Sequence, residues 1–518
     1  MVNTWPLPLP AIFNGNRFGK LQANPQNRPT QYTYPGEQIS WQQCAEVKGR
    51  PIECSSVKVP IDQFTGTNSG NKTFTIPLVR MRGHNATKNL FLNPGGPGTS
   101  GTEFLYRAGE QLRTIVGEGF HLLSFDPRGV NASRPQATCY PDADTRRSRS
   151  RPHDIGVTAA DLNNILDAVG QESLYYWGFS YGTTIGQTYA TLYPGRAERV
   201  IIDGVENQFS WYEGLLSTDT FHDTERVWDG FLEECMKAGE NCKLSSLAES
   251  KDTLKEKLFS FTEQLKGSPI SVYVNNTVYG TLDYETIWYR AIFRALNKPA
   301  TWYDLADRLA KLMQGNATEF FLAYAFRDPW TSEGDATEFV SFNDGYSGAP
   351  YWPQDLKSLL GIVNPYINES FFAPAEVGNY YIKQQWQMPR SHSYVPYEGV
   401  KTAHPLLILS TTYDPVCPLK SARVAHAAFE GSRIVEVQGY GHCSIAVPST
   451  CLARHVSAFL YNGTLPDGHT KCEVDGPYFV KSEEDGSFKP QKYFADPEEQ
   501  AIHLTQLELS NRHLFYLD

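Results

Sequence analysis

Several features that would indicate a membrane, nucleic acid or metal are missing from this chain of 518 residues. No uninterrupted apolar run approaches the roughly 18 residues of a membrane-spanning helix. Acidic residues exceed basic ones by 57 to 46, and a net charge of −11 argues against a nucleic-acid partner, which requires a basic surface. No set of metal ligands such as H-E-x-x-H is present, so neither a metal nor a cofactor is expected. A hydrophobic content of 41% is ample for a packed globular protein.

What the chain does contain is a nucleophile motif, G-x-S-x-G, at residues 178–182. The apolar run before it, at 174–177, is typical of a buried strand, and residues 183–190 favour a helix. A strand that turns sharply into a helix at a serine exposes the hydroxyl beyond the sheet, next to a helix N-terminus that favours negative charge. The motif alone fits a simple Gly/Ser turn equally well. With these flanks, it predicts Ser180 as a nucleophile.

Two strands downstream of Ser180 end in residues that suit an acid and a base. The apolar run at 405–410 leads to Asp414, and the run at 432–437 leads to His442. The 28 positions between Asp414 and His442 leave room for one helix, around 420–429, and one strand. We therefore predict a catalytic triad of Ser180, Asp414 and His442, with the acid orienting the histidine.

An oxyanion hole is predicted from the glycine-rich loop at 93–98, which follows an apolar strand at 90–92. Such a loop brings backbone N–H groups close to a substrate, and it lacks the Gly-Lys-Ser/Thr ending of a phosphate-binding loop. We assign the hole to the N–H groups of Gly96 and Tyr181. Asp126 also follows a strand, but it precedes the serine. We expect it to pair with Arg128 or to organise the loop beside the oxyanion segment.

These motifs resemble the proline iminopeptidase and tripeptidyl aminopeptidase group of α/β-hydrolases. The resemblance rests on Asn93-Pro94-Gly95-Gly96-Pro97-Gly98, Asp126-Pro127-Arg128-Gly129, Gly178-Phe179-Ser180-Tyr181-Gly182-Thr183 and Ile202-Asp203-Gly204-Val205. Around 40–62 and from Asp414 to Cys472 the chain is similar to secreted tripeptidyl aminopeptidases. It departs from the group at Asn93-Pro94, where iminopeptidases usually carry His-Gly-Gly-Pro, and at Cys443, directly after the histidine.

The resemblance implies an α/β-hydrolase fold, which is a mostly parallel sheet with helices on both faces. We expect an N-terminal extension at 1–40, a first core part at 41–205, a helical cap at 206–399, a second core part at 400–472 and a tail at 473–518. The cap follows the sixth strand, because 234 positions separate Ser180 from Asp414, whereas an uninterrupted core needs roughly 100. Helices are predicted at 224–238, 247–266, 283–296 and 301–313, and one in the tail near 497–509.

The cap segment is rich in tryptophan. It holds seven of the ten tryptophans, at positions 211, 228, 288, 302, 330, 352 and 386. An aromatic lid suits an apolar or extended substrate. The rings serve equally well as the cap's own core, because aromatic burial dominates any core.

Nine cysteines and seven N-x-S/T sequons bear on the compartment. Pairing is expected for Cys44–Cys54, Cys235–Cys242, Cys451–Cys472 and Cys417–Cys443, with Cys139 left over. The sequons, at Asn71, Asn85, Asn131, Asn275, Asn316, Asn368 and Asn462, favour glycosylation. The first residues lack the basic start and long apolar run of a signal peptide. We expect secretion after removal of a signal; the alternative is an intracellular protein with reduced cysteines.

The predicted function is acyl transfer through a serine ester, on a small peptide or small-molecule acyl substrate. The resemblance favours an aminopeptidase that releases short N-terminal fragments. An esterase, lactonase or amidase acting on a small metabolite is the alternative, and an inactive binding protein is a remote one. An aminopeptidase must pair the substrate ammonium with a carboxylate. Glu206, which follows the predicted sixth strand, is the candidate, and Asp203 is expected to fix the turn instead.

Overall fold

A ten-stranded mixed sheet organises the chain in a computed structural model that describes residues 31–64, 72–137, 158–214, 219–326, 335–387, 393–483 and 487–512. Its strands are β1 (Gln42–Val47), β2 (Arg50–Pro60), β3 (Thr73–Met81), β4 (Lys88–Asn93), β5 (Phe120–Phe125), β6 (Leu174–Phe179), β7 (Ala197–Asp203), β10 (Leu407–Tyr413), β11 (Arg433–Tyr440) and β12 (Thr470–Glu473). They lie in the order β1-β2-β3-β5-β4-β6-β7-β10-β11-β12. Pairing is antiparallel from β1 to β5 and parallel from β5 to β12.

Helices cover both faces of this sheet, as predicted. One face carries α1 (Gly101–Val116), α12 (Thr450–Asn462) and α13 (Pro497–Arg512), and the other carries α2 (Thr158–Ala168), α3 (Tyr181–Leu192) and α11 (Leu419–Ala428). The central strands are apolar throughout because both faces are buried. In β4, for example, Leu90 and Leu92 join the first of these layers and Phe91 joins the second.

The long segment between β7 and β10 is mainly helical. It contains α4 (Gln208–Glu213), α5 (Thr224–Ala238), α6 (Lys251–Gly267), α7 (Trp302–Met313), α8 (Ala336–Asp344), α9 (Leu356–Ile367) and α10 (Val377–Gln385). A π-helix at Thr286–Ile292 continues into an α-helix at Phe293–Asn297, and a short turn at Thr318–Phe320 continues into a second π-helix at Phe321–Ala325. Short 3-10 helices occur at Pro194–Arg196, Gly239–Asn241, Lys243–Leu247, Pro299–Thr301, Ala373–Glu376 and Ser444–Ala446.

Three details of this segment differ from the sequence prediction. It follows the seventh strand rather than the sixth, because the short β1 pairs with β2 at the edge of the sheet. It includes a hairpin of β8 (Ile270–Asn275) and β9 (Val278–Leu282), which was not predicted. The helix predicted from 247 begins at Lys251, where the Ser250 side chain accepts the Thr253 N–H and caps it. The predicted domain boundaries stay a prediction.

Most of the tryptophans of this segment build hydrophobic cores. Trp228, Trp288 and Trp302 are fully buried in one cluster, and Trp288 and Trp302 donate their indole N–H groups to Thr262 Oγ1 and Ala295 O. Trp211 packs in the core beneath the sheet and Trp352 in a small separate cluster. Trp330 lies outside the described residues. Packing therefore accounts for these five rings, as the second of the two sequence interpretations expected.

Two polar anchors beside the sheet also refine the sequence analysis. Asp126 organises the loop before α1, as predicted, because its carboxylate accepts hydrogen bonds from Ser100 Oγ and from the N–H and hydroxyl of Thr102. The predicted pairing of Asp126 with Arg128 is wrong. Arg128 instead forms a buried ion pair with Asp161 and donates to the carbonyl oxygens of residues 60 and 61.

Within the described residues no helix is both long and apolar enough to cross a membrane.

Three disulfides occur at the predicted pairs Cys44–Cys54, Cys235–Cys242 and Cys451–Cys472. The predicted Cys417–Cys443 bridge is wrong, because both residues are buried free thiols. Cys139 and Asn71 lie outside the described residues. The other six sequon asparagines are exposed, but the side-chain amide of Asn131 donates to Asp126 and Ser100, which disfavours glycosylation at that position.

We expect non-reducing peptide mapping to recover these three bridges and to find Cys417 and Cys443 alkylated only after unfolding. Replacing Cys472 by Ser should lower the free energy of unfolding by about 2–5 kcal/mol, since a disulfide restricts the unfolded chain. Chemical denaturation of the two proteins measures the difference. Recovery of a Cys417–Cys443 peptide would contradict the structure.

Candidate active site

Ser180 sits on a strained turn between β6 and α3. Its backbone has φ 54° and ψ −127°, a region that L-residues with a Cβ rarely occupy. The turn is held by hydrogen bonds from Ser180 N to Asp203 O, at 2.9 Å, and from Thr183 N and Oγ1 to Ser180 O, at 2.8 and 2.6 Å. Ser180 stays partly exposed, whereas the residues on either side are buried. The geometry is that of a nucleophile elbow.

The two motif glycines are required by close packing at this turn. A Cβ on Gly178 would lie 2.5 Å from Gly182 O, and a Cβ on Gly182 would lie 2.8 Å from Asn93 O. No side chain fits in either place. The elbow therefore packs directly against the end of β4 and the loop that follows it.

Asp414 and His442 form a buried pair at the ends of β10 and β11. His442 Nδ1 lies 3.0 and 2.9 Å from the two carboxylate oxygens of Asp414. The carboxylate also accepts the backbone N–H groups of Val416 and Cys417 on one oxygen and of Cys443 on the other, at 2.8–2.9 Å. Because Nδ1 faces a carboxylate, we assign the proton of the neutral imidazole to Nδ1, which leaves Nε2 without a proton and able to accept one.

The segment between β7 and β10 helps to position the histidine. His442 N donates to Asn297 O at 2.9 Å. A Cβ on Gly441 would lie 2.8 Å from Pro299 Cδ, so the chain of this segment packs closely against the histidine loop. Gly441 N also donates to Tyr413 O at 3.1 Å, which ties the loop to β10.

Asp203 joins the serine strand to the histidine loop. Its Oδ1 accepts Ser444 N at 2.7 Å, its Oδ2 accepts Ser444 Oγ at 2.6 Å, and its carbonyl oxygen accepts Ser180 N. Trp177 Nε1 adds a longer hydrogen bond of 3.3 Å. Burial raises the pKa of Asp203 to about 6, against the opposing effect of these hydrogen bonds. Asp203 therefore has the structural role predicted for it, and it also connects the turn after β6 with the loop after β11.

The two free cysteines flank the acid–histidine pair without bonding to each other. Cys443 Sγ lies 3.3 Å from Asp203 O and 3.7 Å from His442 Nε2, and it faces the backbone of Ser180. Cys417 Sγ points instead at Glu206 Oε2, 3.7 Å away. The two sulfurs are thus directed at different groups, which explains why the predicted bridge is absent. Burial raises the pKa of both thiols well above the usual value.

The predicted oxyanion loop lies against the elbow. A Cβ on Gly95, at φ +88°, would lie 2.3 Å from Phe179 O and 2.9 Å from Tyr181 N. The Gly95 N–H is taken by Asn93 Oδ1 at 2.9 Å. Within the described residues, no hydrogen-bond acceptor is found for the N–H groups of Gly96 and Tyr181. Both groups are therefore suited to bind an anionic oxygen.

Glu206 lies close to the elbow and to Asp414. Its N–H donates to Thr183 Oγ1 at 2.9 Å, so its position is linked through Thr183 to Ser180. Although Glu206 keeps some contact with solvent, desolvation raises its pKa to about 8, with further contributions from the negative charges of Asp219 and Asp414. At neutral pH this carboxyl group is therefore mostly uncharged in the empty site.

Two groups of residues in the described chain bring three metal-ligand atoms within 4.8 Å of one another. One is Cys451, His455 and Cys472, whose cysteines are joined in a disulfide. The other is Asp414, His442 and Cys443, whose atoms already bond to one another. The ligand atoms of both groups are thus engaged in a disulfide or in the hydrogen bonds of the acid–histidine pair.

Comparison with known proteins agrees with this geometry. Residues 88–447 match a protein family whose description is "alpha/beta hydrolase fold". The chain belongs to the α/β-hydrolase family. Both the fold and the family resemblance predicted from the sequence are thereby confirmed.

Three relatives align with most of the chain. Serine protease Hip1 of Mycobacterium tuberculosis is 26% identical over 84% of this chain and 91% of that protein. Tripeptidyl aminopeptidase of Streptomyces lividans is 24% identical over 84% and 86%. Carboxylesterase B of Mycobacterium tuberculosis is 23% identical over 84% and 90%. The alignments extend well beyond the motifs that resemble the family in the sequence.

Three residues that shape this site were not identified in the sequence. Asn93 is an acceptor within the oxyanion loop, Asn297 holds the histidine loop, and Cys417 faces Glu206. Only Asn93 carried a signal, since it stands where the related iminopeptidases have histidine. The contacts of Asn297 and Cys417 depend on how the inserted segment packs.

The strained backbone of Ser180 leads to a stability prediction. Glycine adopts φ > 0 without steric cost, whereas alanine keeps the strain. We expect Ser180→Gly to unfold with a free energy about 1 kcal/mol higher than Ser180→Ala, because relief of strain exceeds the extra entropy of glycine in the unfolded chain. Denaturant unfolding of both variants measures the difference, and a glycine variant less stable than the alanine variant would contradict it.

Proposed function

We propose that this chain is a serine peptidase that removes short fragments from the N-termini of peptides through an acyl-enzyme. The observation that carries the proposal is the buried Asp414–His442 pair at the sheet edge where the Ser180 elbow opens. Two of the relatives are named as a serine protease and a tripeptidyl aminopeptidase. The catalytic roles below are assigned on this basis.

In the proposed reaction Ser180 Oγ attacks the scissile carbonyl while His442 Nε2 takes its proton. Asp414 keeps Nδ1–H oriented and stabilises the imidazolium that forms. The N–H groups of Gly96 and Tyr181 stabilise the oxyanion, usually the largest single contribution to such catalysis. His442 then protonates the leaving amine, and water repeats the sequence on the ester.

Ser180→Ala should lower kcat by about 10⁴-fold or more, because no other group replaces the nucleophile. A fluorophosphonate should label the parent enzyme once, at Ser180, as read by peptide mass spectrometry. The alanine variant should keep the circular dichroism spectrum of the parent. Labelling that persists in this variant would overturn the assignment of Ser180, and a parent enzyme that is neither labelled nor active would favour an inactive binding protein.

Glu206 is proposed to bind the α-ammonium group of the substrate. Its backbone N–H donates to Thr183 Oγ1, which in turn donates to the carbonyl oxygen of Ser180. Its carboxyl group lies against Cys417 Sγ, and the Cys417 N–H donates to Asp414. An ammonium buried here needs an anionic partner. An ion pair between Glu206 and the substrate ammonium would therefore favour peptides whose free N-terminus lies close to the bond that is cleaved.

Glu206→Gln should lower kcat/KM for free-amine substrates. The loss should correspond to roughly 2–5 kcal/mol of transition-state stabilisation, the range for removing one member of a buried charge pair. It should barely change kcat/KM for N-acylated substrates or simple esters. Glu213→Gln, at an exposed glutamate of α4, is the matched control and should change neither. Equal losses on both kinds of substrate would discard the aminopeptidase proposal while leaving the serine hydrolase in place.

The raised pKa of Glu206 predicts a pH dependence that is specific to free-amine substrates. The bound pair contains one ammonium and one carboxylate. Below pH 8 the free enzyme carries neutral Glu206, and above roughly pH 8 the peptide α-amine loses its own proton. The ratio of kcat/KM for free-amine over N-acetylated substrates should therefore rise up to about pH 8 and fall beyond it. In Glu206→Gln the rise on the acidic side should disappear, and a ratio that is flat from pH 6 to 9 in the parent would contradict the assignment.

A hydrolase for small esters, lactones or amides is the second candidate. It is supported by the 23% identical relative named carboxylesterase B, and the same catalytic groups act on many acyl donors. Faster cleavage of N-blocked than of free-amine substrates by the parent enzyme would favour this candidate.

We also propose that the protein works in an oxidising compartment outside the cytosol. Three disulfides support this location, because such bridges persist where thiols are not kept reduced. Secretion and glycosylation remain the finer expectation from the sequence.

A further inference from the structure

A cavity of about 340 Å³ lies on the side of α3 that faces α2. Its walls include Ile185 and Leu192 of α3, together with the rings of Tyr181, Tyr212 and Tyr394. None of the proposed triad residues, and neither Gly96 nor Glu206, is among the residues that line it. Tyr181 belongs both to the wall of this cavity and to the turn that carries the nucleophile.

The end of α8 supplies the polar part of the cavity wall. Asn343 is more than nine-tenths buried and lines the cavity. Its Oδ1 accepts the indole N–H of Trp386 at 2.9 Å, while its Nδ2 has no hydrogen-bond partner in the described chain. A buried N–H donor without a partner loses free energy. A carbonyl oxygen on a molecule in the cavity would satisfy it.

The neighbouring Asp344 restricts the charge of such a molecule. Its Oδ2 accepts the Tyr181 hydroxyl at 2.6 Å and the Trp211 indole N–H at 3.0 Å. Burial and the adjacent carboxylate raise the pKa of Tyr181, so that Tyr181 remains a neutral donor to Asp344. An anionic molecule would meet this carboxylate in a poorly solvated space and would be repelled.

We propose that this cavity is a second binding site, distinct from the proposed active site, for a neutral aromatic molecule that carries a carbonyl oxygen. Its flat apolar part packs between the tyrosine rings and the aliphatic side chains of α3, and its carbonyl oxygen accepts the Asn343 Nδ2 hydrogen bond. Apolar walls with a few fixed polar groups are typical of small-molecule sites. Because Tyr181 also carries a proposed oxyanion N–H, an occupant contacts the residue next to the nucleophile.

The test uses 2-naphthamide as the neutral probe and 2-naphthoate as its anionic counterpart, with binding measured by calorimetry. The full-length enzyme is first phosphonylated at Ser180, with the adduct verified by mass, so that the active site is closed. We expect saturable binding of the amide to persist, and the carboxylate to bind at least about tenfold more weakly. If no adduct forms, the proposed function fails, but the variants below still test the cavity.

Leu192, which lines the cavity and is 38% exposed, tolerates a larger side chain. Leu192→Trp should fill the cavity and weaken amide binding by about tenfold or more, because the occupant loses its space. Leu322→Trp, at a 44% exposed position in the second π-helix, is the matched control and should leave binding unchanged. Asn343→Asp keeps the acceptor for Trp386 and removes the donor, so it should weaken binding by about fivefold or more.

Four results would overturn the proposal. These are the loss of amide binding on phosphonylation, equal binding by the Leu192→Trp and Leu322→Trp variants, equal affinity for the amide and the carboxylate, and no saturable binding of either probe. Thermal unfolding of each variant shows whether it is folded. Leu192→Trp decides the question even if Asn343→Asp is unstable, since Leu192 is at the surface.

Discussion

The carboxyl ends of four adjacent parallel strands, β6, β7, β10 and β11, meet at one edge of the sheet, and two buried carboxylates hold them together. Asp203 connects the serine turn with the histidine loop, and Asp414 connects the end of β10 with the same loop. Each carboxylate is buried and is compensated by several N–H and O–H donors rather than by a cation. Buried anions are tolerated under that condition. The positions of Ser180, Asp414 and His442 depend on these two sets of hydrogen bonds.

Much of this edge could be predicted from the sequence because each residue follows a strand by a short, fixed distance. Ser180, Asp414 and His442 were predicted from apolar runs and the turns after them, and the strand order places all three at one edge of the sheet. Asp203 was correctly expected to be structural, but its bond to Ser444 could not be foreseen. That contact joins residues 241 positions apart, and no local pattern encodes it.

The inserted segment was predicted only in part, because local patterns mark its helices but not the contacts between residues far apart in the chain. The helix at 224–238 was predicted with its observed bounds, since its apolar residues recur with helical spacing. The β8–β9 hairpin was missed because its strands are only six and five residues long and expose most of their side chains, so neither contains the continuous apolar run of a core strand. The Cys417–Cys443 bridge was predicted from two loops that do meet. It does not form because meeting loops do not fix the directions in which side chains point, and each sulfur faces another group.

Burial of Glu206 has two opposite effects on the amine recognition proposed for it. With a pKa of about 8, ionising Glu206 at pH 7 costs about 1.4 kcal/mol, which weakens ammonium binding by that amount. The same burial avoids placing a third negative charge beside Asp219 and Asp414 when no substrate is bound. It also means that an N-acylated substrate meets a neutral carboxylic acid rather than a stranded carboxylate. If Glu206 binds the α-ammonium group as proposed, discrimination between the two kinds of substrate comes from attraction of the ammonium, gained as Glu206 loses its proton, and not from repulsion of the blocked N-terminus.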